Sequence, residues 1–248
     1  MNDMARHPGN KKRGVRDERD GHARDPEEVN SQDHFTIHAV FAVDTPLPDD
    51  TKVRDALVEE LTAATADVTV RGWYDVAGFR AEADVMVWMY SQDVRKLQDA
   101  YHRVRDALLA YMTPVWSVIG SHRPAEFNRA HIPAIIDNFG PRNFIAVYPF
   151  VRSYDWYVMD EAERSQMLKE HGKSGRHYPD VLASTLSTFA LSDYEWILAF
   201  ESDDINRLVD AMRHQRATRA RMHVREEIPF FTGPRLELAD LIAKQPKL

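Results

Sequence analysis

The sequence predicts an α+β protein built from two ferredoxin-like halves, with antiparallel sheets and helices on the outer faces. Three observations point there. The order strand–helix–strand–strand–helix–strand is written twice along 248 residues. Two stretches, ADVMVWMYSQDVRKLQDA and SDYEWILAFESDDINRLVDA, each run through an acid, an apolar strand, an aspartate cap and an amphipathic helix. The composition, 44% hydrophobic and 29% charged, is that of a packed globular chain.

Residues 1–33 stand apart from this scheme. They alternate cations and carboxylates and contain no Leu, Ile or aromatic residue. Such a segment buries too little apolar surface to offset chain entropy, and it reads as a disordered tail. Residues 34–120 form the first half. Phe35–Val43 alternates apolar and polar residues, as a half-buried strand does. Pro46, Pro48 and two aspartates break the chain before a helix over Val53–Ala64. Val68–Val76 and Asp84–Tyr90 read as strands separated by a turn at Gly78. Asp93 caps a helix whose apolar stripe is Val94, Leu97, Tyr101, Val104 and Leu108. Val115–Ile119 closes the half as a strand.

Residues 121–141 form a linker, long enough to expect a functional role. Residues 142–248 repeat the programme. Phe144–Phe150 is a strand, and Asp160 and Glu161 open a helix to about His171 with Gly172 as its C-cap. Leu182–Leu191 and Trp196–Phe200 follow as strands. Asp203 or Asp204 caps a helix carrying Ile205, Leu208, Val209 and Met212, and Ile228–Phe231 is the last strand, ending before Gly233.

The chain has 32 Lys and Arg against 39 Asp and Glu, a formal charge of −7, which disfavours a general nucleic-acid partner. The absence of cysteine removes disulfides, thiolate nucleophiles and thiolate-held metal centres. No apolar run reaches the ~18 residues of a membrane span, and the N-terminus has no secretory h-region; a cytoplasmic protein is expected. HExxH, glycine-rich phosphate loops and GxSxG are missing as well.

Among the eleven histidines, His171 attracts most interest. It ends an amphipathic helix in MLKEHGKSGRHY, beside two glycines that admit a flat ligand and among Lys169, Lys173 and Arg176. One helix-borne His is a common way to hold haem iron; a surface His that complements the helix dipole is the alternative. Tyr148 shares a strand face with Phe144 and Ala146, and Arg152 falls on the same face. A packing tyrosine and a solvated arginine are the plain alternatives. His131 lies among apolar residues in the linker, where a structural role is equally open. Trp73, Tyr74, Trp88, Trp156 and Trp196 would suit a core or a porphyrin pocket.

Five segments, GFRAEADVMVWM, VYPFVRSYDWY, MLKEHGKSGRHY, DYEWILAFESDD and REEIPFFTG, occur in this order and at these distances. Together they resemble the chlorite dismutase-like haem protein family, and within it the coproheme decarboxylases of the branch with a distal His. The resemblance spans roughly Phe35 to Ile242. It implies a dimeric α/β barrel fold and the hydrogen peroxide-dependent conversion of two propionates of Fe-coproporphyrin III to vinyl groups, giving haem b. It also implies a homopentamer and a transient contact with a ferrochelatase. A haem carrier or sensor, or a peroxidase, are the other activities on such a fold.

By the same resemblance His171 matches the axial ligand of the porphyrin iron and Tyr148 the tyrosine that forms the catalytic radical. Arg152 matches a propionate-binding position, and Arg221 a further propionate contact. His131 matches the distal His that deprotonates peroxide, and Trp156 a secondary radical site. One departure is plain. Chlorite dismutases carry a distal Arg about thirteen residues beyond the proximal His. Here His177–Glu195 contains no Arg, Lys or Gln, and the matching place lies near Ser184. The resemblance therefore implies no chlorite-guiding cation and leaves the distal polarity to His131.

Overall fold

A computed structural model describes residues 17–248 of the chain. In its first half, strands β1 (Phe35–Val43), β2 (Thr69–Asp75), β3 (Val85–Ser91) and β4 (Met112–Ser121) alternate with helices α2 (Thr51–Ala64) and α3 (Val94–Leu108); the short α1 (Pro26–Asn30) precedes them. The second half supplies β5 (Phe144–Arg152), α4 (Glu161–Gly175), β6 (Leu182–Ser187), β7 (Trp196–Ser202), α5 (Ile205–Gln215), β8 (Val224–Glu226), β9 (Phe231–Leu236) and α6 (Leu238–Lys244). Aspartates cap five helices among the described residues: the side chains of Asp25, Asp50, Asp93, Asp160 and Asp204 accept N–H groups of the first turns of α1, α2, α3, α4 and α5.

The strand order is β7-β6-β4-β1-β3-β2-β9-β5-β8, and β5 also pairs with β7. Eight strands thus close a ring. Each half keeps the ferredoxin-like order, β4-β1-β3-β2 and β9-β5-β7-β6, and the halves meet through β4–β6 and β2–β9. Closure follows from alternation. In β5, Ile145 and Val147 enter the barrel core with Val40, Met86 and Trp88, while Ala146 and Tyr148 face outward to a separate cluster with Phe200 and Leu208 of α5. In the first half, Ile37, Ala39 and Phe41 of β1 face Leu61, Leu97 and Val104 on α2 and α3. The face that carries Tyr148 is therefore the one covered by α4 and α5.

Several sequence expectations shift. Helix α4 continues past Gly172 to Gly175 and ends on Arg176 in right-handed conformation. Among the described glycines only Gly78 has positive φ, so Gly172 is not a left-handed cap and His171 sits inside the helix. Strand β6 ends at Ser187, after which Thr188 and Glu195 bracket a turn. The last strand begins at Phe231 and runs through Gly233, where a Cβ would collide with the backbone of Asp75. That glycine marks a close approach of strands, not a stop.

Of the expected tail, residues 1–16 lie outside the described residues. Residues 17–33 are packed against the linker. Asp20 forms a buried ion pair with Arg142 (2.8 Å), Gly21 N–H donates to Asn138 O (2.8 Å), and α1 closes the segment. Polar partners, together with the single fully buried Val29 of α1, hold it there, and the identity of those partners could not be read from local composition.

Candidate active site

A cavity of about 640 Å³ lies between the outer face of β5, β6 and β7 and the helices α4 and α5, with the linker at one end. His131, Tyr148, Arg152, Trp156, His171 and Arg221 all line it. The linker, the second-half sheet, α4 and the 3-10 turn Arg219–His223 thus converge on one space.

His171 projects from α4 with Gly172 and Gly175 beside it on the cavity wall. Beyond its own helix turn, a Cβ added at Gly172 would meet no atom of the described residues within 4 Å, so the glycine leaves room that a ligand can fill. The His171 Nδ1 lies 3.3 Å from Thr218 Oγ1. Burial, followed by the charge of Arg152, lowers the His171 pKa to about 4, so its imidazole is neutral at neutral pH. A neutral imidazole in a roomy, largely apolar cavity suits an axial metal ligand. Of the cations grouped around it in sequence, Arg176 lines the cavity, whereas Lys169 and Lys173 are exposed and do not.

Tyr148 is 4% exposed, stacked on Phe230 (4.5 Å between rings) and edge-on to Phe200. Its hydroxyl donates to Met212 Sδ at 3.6 Å. Burial first, then Glu227, raises its pKa, so it remains a phenol. A thioether accepts a hydrogen bond but takes up no proton in water.

The Arg152 guanidinium lies 4.3 Å from the Trp156 ring centroid and 5.1 Å from that of Phe150. Among the described residues its side chain has no ion pair or hydrogen bond, and burial lowers its pKa. This is a half-buried cation with no carboxylate in direct contact with its guanidinium among the described residues, although Glu195, which accepts the Arg152 backbone N–H at 2.8 Å, and Glu227 lie near enough to oppose the fall. Opposite charges elsewhere on the wall are matched: Glu126 pairs with Arg164 (2.7 Å), and Glu227 takes both Arg216 and Arg221 at 2.6 Å. Arginine at positions 123, 152, 176, 216 and 221 makes the cavity wall cationic. Space for a flat body and a cationic rim together fit an iron porphyrin that carries several carboxylates.

His131 sits at the solvent-facing mouth, where its backbone N–H donates to Asn128 O (2.9 Å); partial burial lowers its pKa. The linker is fastened to β6 because Ser184 Oγ accepts the N–H of Ile135 (3.1 Å). Ser184 is 1% exposed and spends its hydroxyl on that bond. Its neighbours Ala183 and Thr185 line the cavity instead, and neither carries a charge. Trp73, Tyr74 and Trp88 belong to core clusters away from the cavity, whereas Trp156 and Trp196 line it. Sequence reading missed Arg216, Glu227, Met212 and Thr218. The helix periodicity of α5 and its following turn could have placed Met212 and Arg216 on one face with Gln215.

A family model described as chlorite dismutase matches residues 51–236. A coproheme decarboxylase of Mycolicibacterium smegmatis is 56% identical over 181 residues, covering 72% of this chain and 78% of the relative. This chain belongs to the chlorite dismutase family. A second relative, a coproheme decarboxylase of Staphylococcus saprophyticus, is 22% identical, covering 74% of this chain and 85% of its own. The fold also matches crystal structures of the chlorite dismutase of Candidatus Nitrospira defluvii. Its complex with imidazole superposes with TM-score 0.74 at 18% identity, covering 85% of this chain and 94% of that one. The structural match accounts for the duplicated ferredoxin-like order.

Proposed function

We propose that this chain is a coproheme decarboxylase that uses hydrogen peroxide to convert two propionates of Fe-coproporphyrin III to vinyl groups, giving haem b. One observation carries the reading. A neutral imidazole, a phenol and an unpaired guanidinium line the same cavity, in a chain 56% identical to a coproheme decarboxylase.

The iron porphyrin is the substrate, and its metal supplies the site at which peroxide is activated. Each turnover balances as one propionate carboxylate, one peroxide and one proton giving vinyl, carbon dioxide and two waters. Two electrons leave the propionate and reduce the O–O bond. In this reading His171 would hold the iron through its Nε2. Arg152 would donate to a propionate and so fix the rotation of the ring. Arg221, with Arg216 oriented on the shared Glu227, meets a second propionate. His131, neutral at neutral pH, takes the first proton of peroxide at the mouth. Tyr148 gives up an electron, and its phenol proton must move into the cavity because Met212 Sδ cannot keep it. The resulting radical removes a hydrogen atom from the propionate carbon. Trp156, packed on Arg152, is a secondary site of oxidation. The reading extends to a homopentamer, to a cytoplasmic setting and to a transient contact with the ferrochelatase that supplies the tetracarboxylate.

The test is anaerobic loading with Fe-coproporphyrin III followed by stepwise peroxide. The expected result is a mass spectrum in which the tetrapyrrole loses two carbon dioxide units through a one-loss intermediate. A tetrapyrrole that stays bound but keeps all four carboxylates would exclude the decarboxylase and leave a carrier.

A further inference from the structure

The cavity wall contains two carboxylates, and both are engaged by arginines: Glu126 by Arg164, and Glu227 by Arg216 and Arg221. Neither orients His171. The only partner of that ring among the described residues is the hydroxyl of Thr218. We propose that Thr218 is a positioning residue that fixes His171 as its Nδ1–H tautomer, leaving the Nε2 lone pair free toward the cavity. The inference rests on the assignment of His171 as the iron ligand made above.

The direction of the hydrogen bond follows from proton counting. Thr218 Oγ1 donates its single hydrogen to the carbonyl of Gln215 at 2.9 Å. It therefore meets His171 Nδ1, 3.3 Å away, with a lone pair, and Nδ1 must carry the hydrogen. A neutral imidazole has one N–H, so Nε2 is bare. In water the other tautomer is the commoner one, so the hydroxyl selects a form that the ring alone does not favour.

Two features hold the hydroxyl in place. Thr218 is β-branched, which restricts its first side-chain torsion, and it begins the 3-10 turn Arg219–His223. The neighbouring residues repeat the contact on the surface, where Arg219 donates to both oxygens of Glu170 at 2.8 and 2.6 Å. Residues 170 and 171 of α4 are thereby registered against 219 and 218. A hydroxyl acceptor also carries no charge. It orients the ring without the added basicity that a carboxylate partner would give a metal-bound imidazole.

The test uses the ligand-free full chain with nitrogen-15-labelled histidine, the His171 signal being assigned by its loss in His171→Ala. At neutral pH the wild type and Thr218→Ser should show a protonated Nδ1 and a bare Nε2. Thr218→Val should lose that single form and shift toward the Nε2–H tautomer. A wild-type ring already in the Nε2–H form, or a Val variant identical to wild type, would overturn the proposal. A second readout uses the coproheme-loaded protein. The ferrous iron–histidine stretching band should rise in Thr218→Asp, fall in Thr218→Val and hold in Thr218→Ser; a band indifferent to all three overturns the positioning role. Loss of this band in every protein, with the tautomer pattern intact, would instead refute the iron-ligand assignment and spare the hydrogen bond.

Discussion

Replacing Arg152 by methionine should move binding and stability in opposite directions. In the ligand-free chain the guanidinium is half-buried with no carboxylate in direct contact among the described residues, and desolvation pulls its pKa down against the weaker pull of Glu195 and Glu227. Methionine keeps most of the stem's contact with Trp156 and Phe150 and removes the desolvated charge. The stacking of the cation on Trp156 at 4.3 Å offsets part of the gain, since such contacts contribute about 0.5–1 kcal/mol. A net rise of about 1 kcal/mol corresponds to roughly 2–4 °C in Tm for a chain of this size. Coproheme binding should weaken, because a hydrogen bond to a charged group contributes about 1.5–3 kcal/mol. That is about a tenfold to hundredfold loss in Kd. The assay pairs a thermal melt of the ligand-free protein with an absorption titration by coproheme. Arg152→Lys, which keeps the charge but loses the planar fork, should fall between. A Kd within twofold of wild type for Arg152→Met would refute the assignment of Arg152 to a propionate. A marked fall in ligand-free Tm would refute the claim that the cation waits there unpaired.

Other substitutions report on other parts of the account. Gly172→Leu places a side chain where, beyond its own helix turn, no atom of the described residues stands within 4 Å of the Cβ; the ligand-free protein should fold with unchanged or slightly higher Tm, while coproheme affinity drops at least tenfold. Retained affinity would mean that the ligand does not pass over α4 at that point. Asp20→Ala strands the buried Arg142 and should cost about 3–5 kcal/mol in chemical denaturation; a loss below about 1 kcal/mol would show that residues 17–33 do not brace the linker. Acid should destabilise the fold through three histidines, because His38 is pushed down to about 3 and His122 and His171 to about 4, in each case chiefly by burial. Their folded pKa values lie below the unfolded value of 6.5, so the unfolded state takes protons first. Stability is therefore complete above that value and is lost as pH falls toward 4, by up to about 1.4 kcal/mol per pH unit for each group. His38→Leu should flatten this slope, since both ring nitrogens of His38 are buried without partners among the described residues; an unchanged slope would contradict it.

How far the sequence foretold this molecule depended on the range of the interaction. Aspartate caps such as Asp93 are local and appear where the pattern placed them; the strand Phe35–Val43 also lies where it was placed, but the closed barrel buries Thr36 and His38 as well as Ile37 and Ala39, so it is covered on both faces and not half-buried. The doubled order of elements likewise yields the doubled 4-1-3-2 strand arrangement. The candidate residues His171, Tyr148, Arg152 and His131 came from spacing and resemblance, and they do line one cavity. What escaped is long-range. The Asp20–Arg142 pair joins positions 122 residues apart, so the segment around Asp20 looked like a solvated tail. Gly233 looked like a terminator because its reason, the backbone at Asp75, is far away in sequence. Ser184 drew attention as a distal position, yet strand parity turns it from the cavity to hold Ile135. Thr218 carries no sequence signal at all: a hydroxyl at the end of a helix acquires meaning only when His171 is found beside it.

The division of labour between imidazole and phenol is tested most directly by Tyr148→Phe loaded with coproheme. Tyr148 is packed between Phe230 and Phe200, and Phe preserves that packing while removing the hydroxyl. The account predicts wild-type coproheme affinity, wild-type iron–histidine coordination and, after excess peroxide, a tetrapyrrole that still has all four carboxylates by mass spectrometry. Loss of two carbon dioxide units from the Phe variant at the wild-type rate would contradict it.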